Sequence, residues 1–231
     1  MGPDLPQDPS LDESVLDGMG SPYEGILITF EGLDGVGKST QMELLAGSLR
    51  ARGYDVLETR EPGGTELGEA VRVTLLDVGN RGMFPRTEAL LYSAARTQLV
   101  EEVIRPGLEQ GRIVLCDRYL DSSLAYQGYG RGLVVEDLVT LNMWATNSLF
   151  PDLTLLLVGN EDVRAERTGK RAPDRLEGEG VEFFRRVDEG YRRLAADHRH
   201  RIHTVEAEGS AEEVHERIRV VVEQEFGVFS S

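Results

Sequence analysis

The chain has 231 residues, 25 Lys and Arg against 41 Asp and Glu, a formal net charge of −16, 40% hydrophobic residues and one cysteine. That length suits one medium α/β domain or at most two small ones, and the apolar share can bury a core, which excludes global disorder. Cys116 has no partner for a disulfide, no apolar run approaches the ~20 residues of a membrane span, and so acidic a chain is poorly suited to general nucleic-acid binding. A small phosphorylated ligand stays open, because a few cations in a cleft suffice for it. No basic start precedes an apolar stretch, so the expected compartment is the cytoplasm.

Residues 1–22 carry Asp4, Asp8, Asp12, Glu13 and Asp17 with four prolines and no Lys or Arg, and read as a disordered acidic tail. Residues 23–231 read as a single domain. Ile26-Leu27-Ile28-Thr29-Phe30 is predicted as a buried strand, followed by a Gly-rich turn and a helix to about Arg52. A second strand is expected at Tyr54–Glu58, then the turn Glu61-Pro62-Gly63-Gly64. Helices are predicted at Glu66–Leu76 and Thr87–Glu109, the second burying Leu90, Leu91, Ala94, Ala95, Leu99 and Val103. Further strands follow at Arg112–Cys116, Leu153–Val158 and, weakly, His203–Glu206. The remaining helices are Val135–Leu149, one carrying Phe183, Phe184, Val187 and Tyr191, and Ala211–Glu225. Trp144 reads as core packing, and His198, His200 and His203 as surface residues without metal-ligand spacing. The alternation predicts an α/β fold with a five-stranded parallel sheet covered by helices on both faces. Ligands of such sheets sit beyond the carboxyl ends of the strands.

The run Gly32-Leu33-Asp34-Gly35-Val36-Gly37-Lys38-Ser39 follows the first strand and fits G-x-x-x-x-G-K-[ST]. Glycines let successive N–H groups turn toward phosphate oxygens, and the next helix adds its N-terminal amides. Lys38 suits the β and γ phosphates of a nucleoside triphosphate, and Ser39 is placed to ligate Mg²⁺. Asp117, at the end of the Ile113–Cys116 apolar run, is the expected second Mg²⁺ partner. Cys116 beside it reads as a small buried hydrophobe. A small-molecule kinase, a nucleotide-driven motor and a switch GTPase all use such a loop. No Asn-Lys-x-Asp guanine motif occurs, and an Arg-rich segment in a small domain favours a monophosphate kinase.

The strings that carry a more specific resemblance are Phe30 to Thr40, Thr59-Arg60-Glu61-Pro62-Gly63-Gly64-Thr65, Asp117-Arg118-Tyr119 and Asp121 to Gly128. Together they resemble the thymidylate kinase family, over about Tyr23 to Glu225. The resemblance implies a P-loop nucleoside monophosphate kinase fold and transfer of phosphate from MgATP to dTMP. ATP would lie on Gly32, Asp34, Gly35, Val36, Gly37, Lys38, Ser39 and Thr40. Arg60 would grip the dTMP phosphate, with a guanidinium suited to bidentate contact. Arg118 would bridge donor and acceptor. Tyr92, where many relatives have Phe, would stack on thymine, and Arg96 would bind a base carbonyl. Ser123 and Gln127 match positions at the base edge. Tyr126 matches the residue that crowds the sugar 2′ position, and Asp34 an acidic position near the 3′-hydroxyl and Mg²⁺.

Arg164, Arg167, Lys170, Arg171 and Arg175 crowd a Gly- and Pro-containing stretch that reads as a lid over about residues 164–178. Some family members carry an Arg in the phosphate loop where this chain has Gly35. The resemblance therefore implies a lid-supplied catalytic arginine, with Arg167 and Arg171 as candidates, as in the bacterial branch. It also implies a homodimer. Two rival readings are another pyrimidine monophosphate kinase and a non-catalytic nucleotide-binding module.

Overall fold

The computed structural model describes residues 23–159 and 174–229. The strands are β1 (Ile26–Glu31), β2 (Val56–Arg60), β3 (Ile113–Asp117), β4 (Leu153–Val158) and β5 (Ile202–Glu206). They form one parallel five-stranded sheet in the order β2-β3-β1-β4-β5. Helices cover it: α1 (Lys38–Arg50), α2 (Glu66–Leu76), α3 (Pro85–Leu99), α4 (Arg105–Glu109), α5 (Leu120–Ser123), α6 (Val135–Thr146), α7 (Val181–Asp197) and α8 (Ala211–Phe226).

The central strands are apolar without alternation because both faces are covered, and Leu27, Phe30, Val114, Leu115, Leu153 and Leu155 are fully buried. Cys116 is buried among them, as expected of a small hydrophobe. Register sets the site. Phe30 and Arg60 both pair with Asp117, so three strands end side by side. From β1 the chain crosses to β2, and from β3 it crosses the opposite way to β4. The crevice between β1 and β3 is therefore the switch point of the sheet.

Several elements differ from the sequence reading. The helix expected over Thr87–Glu109 begins at Pro85 and passes through a π-helical stretch, Val100–Ile104, before α4. Leu90 and Ala94, expected in the core, are exposed. Trp144, also expected in the core, is 82% exposed, because α6 packs through Leu138, Val139, Asn142 and Ala145. No helix was expected over 120–130, where α5 runs into a π-helical stretch, Leu124–Gly130. Local polarity hid it: Asp121, Ser123 and Gln127 are polar yet buried. The acidic tail 1–22, and Arg164, Arg167, Lys170 and Arg171 of the expected lid, lie outside the described residues. Of the histidines, His203 pairs with Glu225 at 3.3 Å, and no metal-holding cluster occurs among the described residues.

Candidate active site

At the carboxyl end of β1 the chain turns through Gly32, whose φ is 128° and where a Cβ would meet the Leu157 carbonyl oxygen at 2.3 Å. Glycine is required there by both conformation and space. The loop ends at Gly37 (φ 101°), the N-cap of α1. Lys38 folds over its own loop, donating to the Gly32 and Leu33 carbonyls at 3.1 and 3.2 Å. Burial and the nearby Arg118 pull its ammonium down to about 8, while Asp117, Asp34 and Glu31 oppose them.

Ser39 Oγ donates to Asp117 Oδ2 at 2.9 Å. Asp117 Oδ1 is buried and has no hydrogen-bond partner among the described residues. An orphaned carboxylate oxygen beside a serine hydroxyl is a hard oxygen donor set that fits Mg²⁺.

Two hollows meet at this crevice. One runs along the loop and is bordered by Gly35, Gly37, Lys38, Ser39, Thr40, Arg60 and Asp117. The other is a deeper cleft walled by Tyr92, Arg96, Ser123, Tyr126, Gln127 and Leu176. Asp34, Glu61, Arg72 and Arg118 border both. A third hollow, between Val36, Gly37, Thr40 and the β5–α8 turn at Ala207–Ala211, flanks the other side of the loop.

Apart from Arg175, the described residues that the sequence nominated gather around these hollows, in two ways. Tyr92, Tyr126 and Arg118 border the cleft. Burial pushes the phenols of Tyr92 and Tyr126 up, so both stay neutral. Arg118 Nη2 donates to Asp34 at 2.8 Å, and its guanidinium lies 5.1 Å from the Tyr126 ring centre. Arg60 is half exposed in the loop hollow and pairs with Glu69 at 2.8 Å.

Arg96 and Gln127 line the cleft, but their donors are committed to the protein. Arg96 is fully buried, and Glu61 takes its Nε and one Nη2 hydrogen at 2.8 and 2.5 Å. Tyr119 O takes the other Nη2 hydrogen at 3.1 Å, while Ser123 Oγ at 2.9 Å and Asn142 Oδ1 take those of Nη1. All five guanidinium N–H groups are used. Burial pushes the Glu61 carboxyl above its ordinary range, with the charge and hydrogen bonds of Arg96 opposing. Gln127 Nε2 donates to the buried Glu88 at 2.9 Å. Burial works against the Glu88 carboxylate, but Arg131, Gln127 and Arg175 outweigh it and hold its pKa low.

Arg175, read as part of the lid, is buried instead. It bonds Glu88 at 2.7 Å and the Leu75 carbonyl at 2.6 Å, so it anchors the segment after residue 173 to α2 and α3.

Sequence reasoning missed Arg72 of α2, which donates to Pro62 O at 2.9 Å and borders both hollows. An Arg nearly two turns into the helix after the second motif was the available signal. It also missed Glu31, whose carboxyl is buried at the end of β1 and pushed up to about 7 by burial and the charge of Asp121, with Arg118 opposing.

Comparison with known proteins bears on this geometry. The sequence pattern described as thymidylate kinase matches residues 30–218. The chain is 55% identical to a thymidylate kinase of Desulforudis audaxviator over 74% of this chain and 78% of that one. It is 48% identical to one of Caldanaerobacter subterraneus subsp. tengcongensis over 87% and 96%. Among solved structures, thymidylate kinase from Ehrlichia chaffeensis aligns with a TM-score of 0.71 at 34% identity, covering 86% of this chain and 98% of that one.

Proposed function

Because the chain belongs to the thymidylate kinase family and phosphorylates dTMP, we propose that it transfers the γ-phosphoryl group of MgATP in line to the dTMP phosphate. The observation that carries this reading is the junction of the two hollows. A donor lying along the loop and an acceptor in the cleft would bring their phosphates together beside Arg118 and Asp34. Lys38 and the loop amides hold the triphosphate, and the hollow at Val36 and Ala207–Ala211 takes the donor nucleoside. Ser39 and Asp117 would hold Mg²⁺, which would supply positive charge against the phosphates. Arg60 and Arg118 orient the acceptor phosphate.

In the cleft Tyr92 stacks on the base, and Tyr126 closes the sugar edge. Ser123 accepts from Arg96 and keeps its own proton to donate to a base carbonyl. Gln127 has its amide nitrogen bound to Glu88 and presents its oxygen as an acceptor for a ring N–H. A donor beside an acceptor matches the carbonyl and N–H of thymine or uracil and opposes cytosine. The acceptor phosphate is anionic near neutral pH, so no strong general base is needed. Arg167 and Arg171 are the arginines assigned to the charge that develops on the transferring group.

Arg167→Ala and Arg171→Ala are expected to lower kcat more than KM, because the contact belongs to the transition state. Unchanged kcat in both, and in the double variant, would refute lid catalysis. A homodimer is supported by apolar side chains left outward on packed neighbours: Leu90 of α3 (58% exposed) and Trp144 of α6. The cytoplasm is the proposed compartment, and no described helix is long and apolar enough to cross a membrane.

A further inference from the structure

Arg118 lies where the two hollows meet, in a conformation that an arginine rarely adopts: its φ is 71°, the left-handed region. Such a residue persists only where its surroundings over-determine it. Its own N–H donates to Phe30 O at 2.9 Å. The next turn is tied to one buried carboxylate oxygen, Glu31 Oε1, which accepts from Tyr119 N at 2.8 Å and Ser122 N at 3.3 Å. The other, Glu31 Oε2, accepts from Ser122 Oγ at 2.6 Å and Tyr191 Oη at 2.8 Å. Those two hydroxyls lie 2.9 Å apart and both receive Arg118 Nη1, at 3.2 and 3.3 Å. One carboxylate therefore fixes both the backbone turn that carries Arg118 and the hydroxyl pair that aims its side chain.

Neither Glu31 nor Tyr191 borders the donor or acceptor hollow. Tyr191 belongs to α7, far along the chain, and its hydroxyl is buried against Glu31. A buried tyrosine on a core helix would pack equally well as phenylalanine were its hydroxyl idle. The long bonds to Arg118 orient the guanidinium while letting its donors pass to phosphate oxygens, whereas the short bonds among Glu31, Ser122 and Tyr191 hold the frame.

We propose that Glu31 and Tyr191 are positioning residues for the reaction, acting through Arg118 by holding its strained backbone and aiming its side chain at the transferring phosphate. This rests on the reading of Arg118 as the arginine that bridges donor and acceptor.

The test is a double-mutant cycle on the full chain with MgATP and dTMP. Tyr191→Phe removes one oxygen atom, and Glu31→Gln keeps the shape of the side chain, so one serves if the other fails to fold. Each is expected to lower kcat about tenfold, with KM for ATP changed less than about twofold. In an Arg118→Ala background neither should lower kcat further, because the residue they act through is gone. An equal fold-loss with and without Arg118, or no loss in the native background, would overturn the proposal and leave the role of Arg118 standing. Full turnover of Arg118→Ala alone would overturn both.

Discussion

The two ends of the active site are built differently. The donor end is built around one continuous stretch, Gly32–Thr40, joined by Asp117 at the end of β3 and flanked by the β5–α8 turn. In the proposed reading its phosphate contacts are backbone amides and a lysine. The acceptor end is assembled from α2, α3, α5 and the segments after residues 60, 123 and 173, and it is held by buried ion pairs. Arg96 with Glu61 forms part of the cleft wall, and Glu88 with Arg131 and Arg175 stands behind it. A phosphate is recognised by any chain that presents N–H groups and charge. A particular base is recognised only where donors and acceptors are fixed in place, and here the ion pairs fix them.

The contrast breaks if donor-end changes unfold the protein or acceptor-end changes leave it intact. Lys38→Ala should lower turnover by about 10²- to 10³-fold, the range for losing one preorganised donor to developing charge. Its circular dichroism and melting temperature should stay near those of the native chain. Near-normal turnover in the folded variant would contradict the loop assignment.

Glu61→Ala, at the acceptor end, should act on both properties. It strands the buried Arg96 guanidinium, a loss of about 3–5 kcal/mol for a broken buried pair. Urea denaturation measures that loss, and KM for dTMP should rise as Ser123 loses its fixed partner. Stability unchanged within about 0.5 kcal/mol would show that the pair does not hold the wall.

The smallest effect concerns the seam between the two ends. Glu31 is held at about 7 in the fold against an ordinary 4.5, so the folded state binds its proton more tightly than the unfolded chain does. Its contribution to stability is fully present below pH 4.5 and is lost as pH rises through about 7. At about 1.4 kcal/mol per pH unit the loss is on the order of 3 kcal/mol. Groups facing it are Asp121, which raises it, and Arg118, Ser122 and Tyr119, which lower it. Denaturation of the native chain and Glu31→Gln across pH 4.5–8 should show the native chain losing that much relative to the variant. A constant difference would contradict the assignment.

The same contrast explains what was legible in the sequence. The phosphate loop could be read directly, since its geometry follows from adjacent residues and a strand before it. The sheet could be read as well, because strands covered on both faces are short apolar runs. The acceptor wall was legible only as a set of residues. That Arg96 spends all five donors on the protein follows from Glu61, Ser123 and Asn142 meeting across the fold, and no local pattern encodes that meeting. The polar run Asp121–Gln127 hid a buried helix for the same reason: Asp121 is satisfied by Arg201, eighty residues away, at 2.6 Å. Trp144 was misread because α6 is apolar on more than one face, so composition did not say which side meets the core.

The most direct test of the central claim is ADP release with MgATP and a panel of dTMP, dUMP, UMP, CMP, AMP and GMP, with a control lacking acceptor. Turnover should depend on acceptor, be strongest with dTMP, weaker with dUMP and UMP, and negligible with CMP and the purines. Equal turnover of CMP, or ADP release that needs no acceptor, would contradict it.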